Sequence, residues 1–146
     1  MERAARREPD AWRADPHGAL ALVILLDQFP RNLFRDDSRA FATDAHARHV
    51  ARDVIARGCD RALDSVQRMF LYLPFEHSEL LADQDEALRL LATIEDTSMR
   101  DSALEWARKH REIIARFGRF PHRNAMLGRD TTPEDRAFLA EPGSSF

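Results

Sequence analysis

The chain of 146 residues is short of several residue types, and each shortage excludes a class of protein. Its single cysteine, Cys59, excludes an internal disulfide framework and a cysteine-based zinc site. Five glycines and seven prolines leave little material for a turn-rich β architecture. The longest apolar run, residues 19–26, is less than half of the roughly 20 residues that a membrane span needs. With no secretion signal visible, we expect a cytoplasmic protein with no membrane partner.

What is present is typical of a folded globular protein. Hydrophobic residues make up 44% of the chain and charged residues 32%, and 146 residues suit one domain with a real core. We therefore expect a single domain over residues 1–146, with residues 1–10 and 141–146 loose at its ends. An isoelectric point of about 6.1 argues against nucleic-acid binding.

Apolar residues recur with helical spacing along most of the chain. Val50, Ala51 and Val54, for example, follow one face of a helix that starts near Asp44 and ends before Gly58. We expect helices over residues 16–29, about 44–57, about 64–73, about 78–92, 97–117, and from about 133 onwards. Pro30 and Pro74 are predicted to end the first and the third, because proline lacks the amide hydrogen and clashes with the preceding turn.

This pattern predicts an all-α fold. Helices joined by connectors of a few residues favour antiparallel neighbours, so we expect stacked helical hairpins. No repeat with a period of about 34 residues is visible, so the sequence alone does not indicate a solenoid.

Two similar motifs join an aromatic-proline break to polar side chains. The first proline motif, residues 27–32, reads DQFPRN, and the second proline motif, residues 119–124, reads RFPHRN. Between them, residues 72–79 read YLPFEHSE. Each is predicted to mark a helix end where polar groups gather, and three such ends could line one site.

The same segments carry a family resemblance. LVILLDQFPRNLFRDDSRAFATD, RMFLYLPFEHSELLADQ and HREIIARFGRFPHRNAMLGR closely resemble the bacterial family known as domain of unknown function 924, from about Asp10 to Phe146. The resemblance implies an all-helical fold similar to tetratricopeptide-repeat arrays, and it implies no established activity. Members of that family usually carry a further N-terminal stretch before the segment that matches Trp12. We therefore expect an apolar patch where that helix would pack, and with it a homodimer.

Glu76, His77 and Glu79 form the densest group of ionisable side chains. On a helix, Glu76 and Glu79 would share a face. Two carboxylates and an imidazole can act as acid and base or bind a divalent metal. Their position after Pro74 also suits helix capping or a salt-bridge network, and we favour that interpretation because the spacing matches no strong metal motif. We predict no metal and no cofactor.

His110 lies on the apolar stripe of the fifth predicted helix. The favoured interpretation is a buried histidine with a hydrogen-bond partner. In the functional alternative, Glu76 or Glu79 orients His110 as a general base. That alternative requires the turn after Pro74 to pack against the fifth helix.

The polar side chains of the two proline motifs form a third group. Its members are Gln28, Arg31, Asn32, Arg119, His122, Arg123 and Asn124. Because guanidinium groups pair well with carboxylates and phosphates, this group predicts a site for a small anion. The same side chains could instead satisfy free backbone carbonyls at helix ends.

Charge is segregated along the second half of the chain. Residues 76–105 contain nine acidic and two basic residues, whereas residues 106–129 contain seven basic and one acidic residue. We prefer the interpretation that these two stretches pair with each other, because such pairing needs no partner. The alternative is an anion-binding face on the basic stretch.

Two functional hypotheses follow. In the favoured one, the protein is a binding or interaction module with an Arg/His/Glu pocket for a small anionic ligand or a peptide carboxylate, or a surface for a protein partner. In the other, it is a small hydrolase-type enzyme that uses Glu76, His77, Glu79 and His110 as acid-base or metal groups. The absence of a nucleophile motif favours the first hypothesis.

Overall fold

The computed structural model describes residues 10–144, and these residues contain helices and no strand, which confirms the predicted all-α fold. The α-helices are α1 (Pro16–Leu33), α2 (Asp44–Ala56), α3 (Ser65–Glu76), α4 (Leu81–Leu91), α5 (Thr97–Phe117) and α6 (Pro133–Leu139). Short 3₁₀ helices cover Asp10–Ala14, Ser38–Phe41, Cys59–Ala62 and Pro121–Arg123. Of the predicted loose ends, residues 1–9 and 145–146 lie outside the described residues, whereas residues 10 and 141–144 are described.

Side-chain caps explain where four of the helices begin. Asp15 accepts a hydrogen bond from the backbone N–H of Gly18 at 2.7 Å, and Asp96 accepts one from Met99 at 2.9 Å. Asp64 and Thr132 each form a capping box, in which the third helical residue bonds back to the cap. These bonds satisfy amide groups that have no partner inside the helix, so the starts follow from local sequence.

The predicted helix ends at the two internal prolines are wrong. α1 continues through Pro30 to Leu33, and α3 continues through Pro74 to Glu76. Pro30 has no N–H to donate to the Leu26 carbonyl, but the Thr43 hydroxyl donates to that carbonyl at 2.5 Å. A side chain at the start of α2 therefore replaces the bond that proline removes from α1.

The core lies around α1, which packs on α2 and α3. Its fully buried residues include Ala19, Leu22, Val23 and Leu26. α4 packs between α3 and α5 through the short connectors 77–80 and 92–96, an arrangement that is compatible with stacked antiparallel hairpins. Among residues 10–144, no helix combines the length and apolar character needed to span a bilayer.

A smaller apolar cluster carries the C-terminal part of the chain. Ile113 and Ile114 of α5 pack with Phe120, and Phe117 and Phe138 pack against them. The rings of Phe117 and Phe138 lie 5.0 Å apart, so α6 is anchored to the end of α5. This cluster places the second proline motif beside α5.

Candidate functional site

The structure brings the two proline motifs together around one carboxylate. Arg31 donates from Nη1 and Nη2 to the two carboxylate oxygens of Asp44, each at 2.9 Å. Nη1 of Arg123 lies 3.9 Å from Oδ2 of the same carboxylate. Both guanidinium groups also lie over the Phe41 ring, at 5.7 Å for Arg31 and 4.6 Å for Arg123. Neither Asp44 nor Phe41 was predicted from the sequence as a residue of the site.

A cavity of about 420 Å³ opens beside this pair of arginines. Seven of the predicted site residues line it: Gln28, Arg31, Asn32, His77, His110, His122 and Arg123. The remaining wall is contributed by Phe34, Arg35, Asp36, Ala40, Phe41 and Met126. The cavity therefore combines a polar floor with a partly apolar wall.

Arg123 is buried at the cavity with little compensation for its charge. Its side chain is 8% exposed and lies against the rings of Phe41 and Phe120, at 4.6 and 4.5 Å. Within the described residues its guanidinium donates no hydrogen bond, and Nε is buried without an acceptor. Burial, with the nearby charge of Arg31, lowers the pKa of Arg123 to about 10, so it stays cationic at neutral pH.

Asp27 holds the imidazole of His77 at the cavity wall. Oδ1 of Asp27 lies 2.8 Å from Nδ1 of His77 and 3.2 Å from Nη1 of Arg31. Gln28 donates to Oδ2 of Asp27 at 2.5 Å. Burial opposes ionisation of Asp27, but His77 and Arg31 outweigh it and hold the pKa of this carboxyl below its usual range. The signal that could have identified Asp27 is its position, since it is the acid that closes an apolar run.

His110, which lines the cavity, contacts Glu76 on the side away from it. Nδ1 of His110 lies 2.9 Å from the Trp106 carbonyl oxygen and 3.1 Å from Oε1 of Glu76. Because a carbonyl can only accept, Nδ1 carries the hydrogen and Nε2 keeps its lone pair. The last turn of α3, which includes Pro74 and Glu76, thus packs against α5, as the functional alternative for His110 requires.

Two buried histidines of the cavity lining, His110 and His122, and the adjacent Glu76 are shifted toward their neutral forms. Burial lowers the pKa values of His110 and His122 to about 4. Burial, with the charge of Asp27, raises the pKa of Glu76 to about 7. At neutral pH the two histidines are therefore uncharged, whereas Arg123, which lines the same cavity, is cationic.

Three of the predicted site residues lie elsewhere. Glu79 accepts hydrogen bonds from Arg129 at 2.8 and 2.9 Å and from the Phe120 amide at 2.8 Å. Arg119 and Asn124 both donate to Asp135. Because α3 ends at Glu76, the prediction that Glu76 and Glu79 share a helix face is wrong.

Glu76 also borders a second depression, between α3 and α5. This groove of about 520 Å³ is lined mainly by apolar side chains, including those of Met69, Leu73 and Met99. Trp106, which is 49% exposed, stands at its edge. Glu76 therefore lies between the groove and His110, and it does not line the cavity.

Internal pairing accounts for several of the segregated charges, as preferred from the sequence. The basic and acidic stretches are joined by Arg111 with Asp85, Lys109 with Glu105 and Arg129 with Glu79. Arg123 stands apart from these pairs because its nearest carboxylate already binds Arg31. Within residues 10–144, no three His, Cys, Asp or Glu side chains are grouped so that they could hold a metal ion.

Glu76 gives a stability prediction with a defined sign. The folded chain keeps its proton up to a pKa of about 7, whereas the ordinary value is 4.5, so the folded state loses relative stability as the pH rises between the two. We expect the stability of Glu76→Gln relative to the wild type to grow by about 1 kcal/mol between pH 6 and pH 8. Urea titrations at the two pH values measure this difference.

The matched control is Glu86→Gln. The hydrogen bond from Arg89 holds the pKa of Glu86 below its usual range, so Glu86 is ionised at both pH 6 and pH 8. The difference in free energy of unfolding between this variant and the wild type should therefore be the same at the two pH values. If the difference in free energy of unfolding between Glu76→Gln and the wild type does not change with pH, the assignment of a protonated, buried Glu76 is wrong.

Comparison with known proteins gives a family and a fold. A family model described as bacterial protein of unknown function, DUF924, matches residues 1–143. A solved structure of a protein of unknown function from Agrobacterium tumefaciens is 47% identical, with a TM-score of 0.86, and the match covers 94% of this chain and 76% of that one. None of the curated proteins matches the chain.

Proposed function

Because the chain belongs to DUF924, a bacterial family of unknown function, we propose its function from the residues that line the cavity. The protein binds a small organic anion and recognises the carboxylate group of that ligand. The ligand is a free monocarboxylate with an apolar body, or the carboxylate end of a peptide. The cavity lies among α1, the 34–41 segment, α5 and the second proline motif.

The observation that carries this proposal is the incomplete compensation of Arg123. Removing a charged group from water costs several kcal/mol unless a partner and hydrogen bonds repay it. Asp44 is the nearest carboxylate, but both of its oxygens already accept from Arg31. A carboxylate ligand would give the Arg123 guanidinium the charge-assisted bonds that the protein does not supply, each worth about 1.5–3 kcal/mol.

The charges around the cavity favour a singly charged ligand group. Asp27 and Asp44 lie close to the same floor, so a group with two negative charges would be repelled more strongly than a carboxylate. The neutral imidazoles of His110 and His122 add no positive charge at pH 7. Phe34, Phe41 and Met126 offer an apolar wall to the rest of the molecule.

Calorimetric titration with benzoate tests the proposal, with benzamide as its uncharged counterpart of the same shape. We expect benzoate to bind with a dissociation constant of about 10 μM to 1 mM, and benzamide to bind at least about tenfold more weakly. Equal heats for the two compounds, or none for either at millimolar concentration, would contradict carboxylate recognition.

A further inference from the structure

We infer that the same cavity hydrolyses esters that carry a carboxylate, with His77 as the general base that activates water. This inference rests on the proposed binding of the substrate carboxylate at Arg123. It adds a reaction to the binding site and gives Asp27 a role as a positioning residue.

The first observation is that Asp27 orients the ring of His77. The 2.8 Å contact between Oδ1 and Nδ1 places a hydrogen on Nδ1, so in the neutral form of the ring the lone pair is on Nε2. Asp27 is 1% exposed, and Arg31 and Gln28 hold its two oxygens. A buried carboxylate that fixes one nitrogen of a histidine is the arrangement that prepares the other nitrogen to accept a proton.

The second observation is that this histidine borders the cavity that contains the uncompensated arginine. His77 is 16% exposed at its side chain and shares the wall with Arg123. The ring centroids of His77 and His110 lie 6.5 Å apart, and those of His110 and Phe120 lie 5.6 Å apart. Arg123 contacts the same Phe120 ring. A substrate held by its carboxylate at Arg123 would therefore extend along the floor toward His77.

The lining of the cavity selects the nucleophile and the leaving group. No hydroxyl or thiol side chain is among the described residues that border it, so water is the nucleophile. A single imidazole can return its proton to an alkoxide or phenoxide. Because an ester releases such an oxygen leaving group and an amide does not, we infer that the substrate is an ester.

The proposed step balances within the site and one water molecule. Nε2 of His77 accepts a proton from water while the water oxygen forms a bond to the ester carbonyl carbon. The carbon–oxygen bond to the leaving group then breaks, and the imidazolium gives the proton to the departing oxygen. The products are a carboxylic acid and an alcohol or phenol, and His77 returns to its neutral form.

The test uses 4-acetoxybenzoate as substrate and follows release of 4-hydroxybenzoate by chromatography. We expect the wild-type protein to hydrolyse it, benzoate to inhibit competitively, and the uncharged 4-acetoxybenzamide to react at least about tenfold more slowly. We expect His77→Gln to lower kcat at least about tenfold, since a general base contributes 10²–10⁴-fold, while the benzoate dissociation constant stays within about twofold.

Two further variants separate catalysis from structure and from surface reactivity. Asp27→Asn keeps the shape of the side chain but removes the charge that orients His77, so kcat should fall without loss of benzoate binding. This variant also decides the question if His77→Gln does not fold. His49→Gln removes an exposed histidine of α2 and should leave the rate unchanged.

The outcomes distinguish the two proposals. If the wild type binds benzoate but does not hydrolyse the ester, or if His77→Gln and Asp27→Asn remain fully active, the hydrolysis inference is overturned and the binding proposal stands. If the wild type does not bind benzoate, the binding proposal fails and the hydrolysis inference fails with it. Loss of kcat in both variants with benzoate binding retained supports the inference.

Discussion

Replacement of Arg123 by methionine will weaken benzoate binding at least about tenfold and will leave the protein as stable as the wild type or more stable. Methionine keeps an unbranched apolar stem against Phe41 and Phe120, and it removes a buried charge that makes no hydrogen bond to the described residues. Loss of the charge removes the group that we expect to bind the carboxylate. Calorimetry with benzoate and urea unfolding measure the two effects.

The matched control is Arg116→Met. Arg116 also lies over an aromatic ring, at 4.6 Å from the centre of Phe117, but it is 51% exposed and pairs with Glu134 outside the cavity. Benzoate affinity should be unchanged in this variant. If Arg123→Met instead unfolds the protein, Arg123 is a structural clamp between Phe41 and Phe120, and the site loses its main support.

Replacement of Asp83 by alanine will lower the free energy of unfolding by about 3–5 kcal/mol, the usual result of removing one partner from a buried charge network. Asp83 is 4% exposed and accepts from Ser78 at 2.6 Å. Arg48 lies 3.3 Å from the same carboxylate, and Arg52 also donates to it. Urea unfolding measures the loss, which arises because the buried hydroxyl of Ser78 and the partly buried guanidinium of Arg48 lose their acceptor.

Asp85→Ala is the control for this change, because it removes an acid two positions away on the same helix. Asp85 is 54% exposed and pairs with Arg111 at the surface, so we expect a change within about 0.5 kcal/mol. Asp83 also holds Ser78, the residue after His77, so its loss should disturb the cavity wall. If Asp83→Ala lowers the free energy of unfolding less than Asp85→Ala does, the hydrogen-bond network around Asp83 is solvated and contributes little to stability.

The helices could be predicted from the sequence because their signals are local. Asp15, Asp64 and Asp96 stand immediately before apolar stripes, and each accepts the backbone hydrogen bond that its position predicts. Gly118 adopts a φ of 66° at the end of α5, the left-handed conformation that glycine tolerates best. None of these features depends on contacts with distant residues.

The errors and omissions arise from contacts between distant parts of the chain. The end of α1 was misplaced because the hydroxyl that compensates Pro30 belongs to Thr43, beyond the next connector. The two proline motifs were recognised as polar groups, but Asp44, the carboxylate between them, gave no sign beyond a helix start. Arg119 and Asn124 bind Asp135 of α6, and no spacing rule separates them from Arg123.

Arg31 and Arg123, which both approach Asp44, are far apart in the sequence, and this affects when the cavity forms during biosynthesis. During synthesis Arg31 leaves the ribosome well before Arg123, so the nascent chain has no complete cavity until Arg123 has emerged. A compound that fits the cavity then selects finished, folded molecules, adding about 2.7 kcal/mol of stability at a hundred times its dissociation constant. If the protein binds such a compound as we propose, a larger supply of it increases the share of the protein that survives proteolysis in the cell.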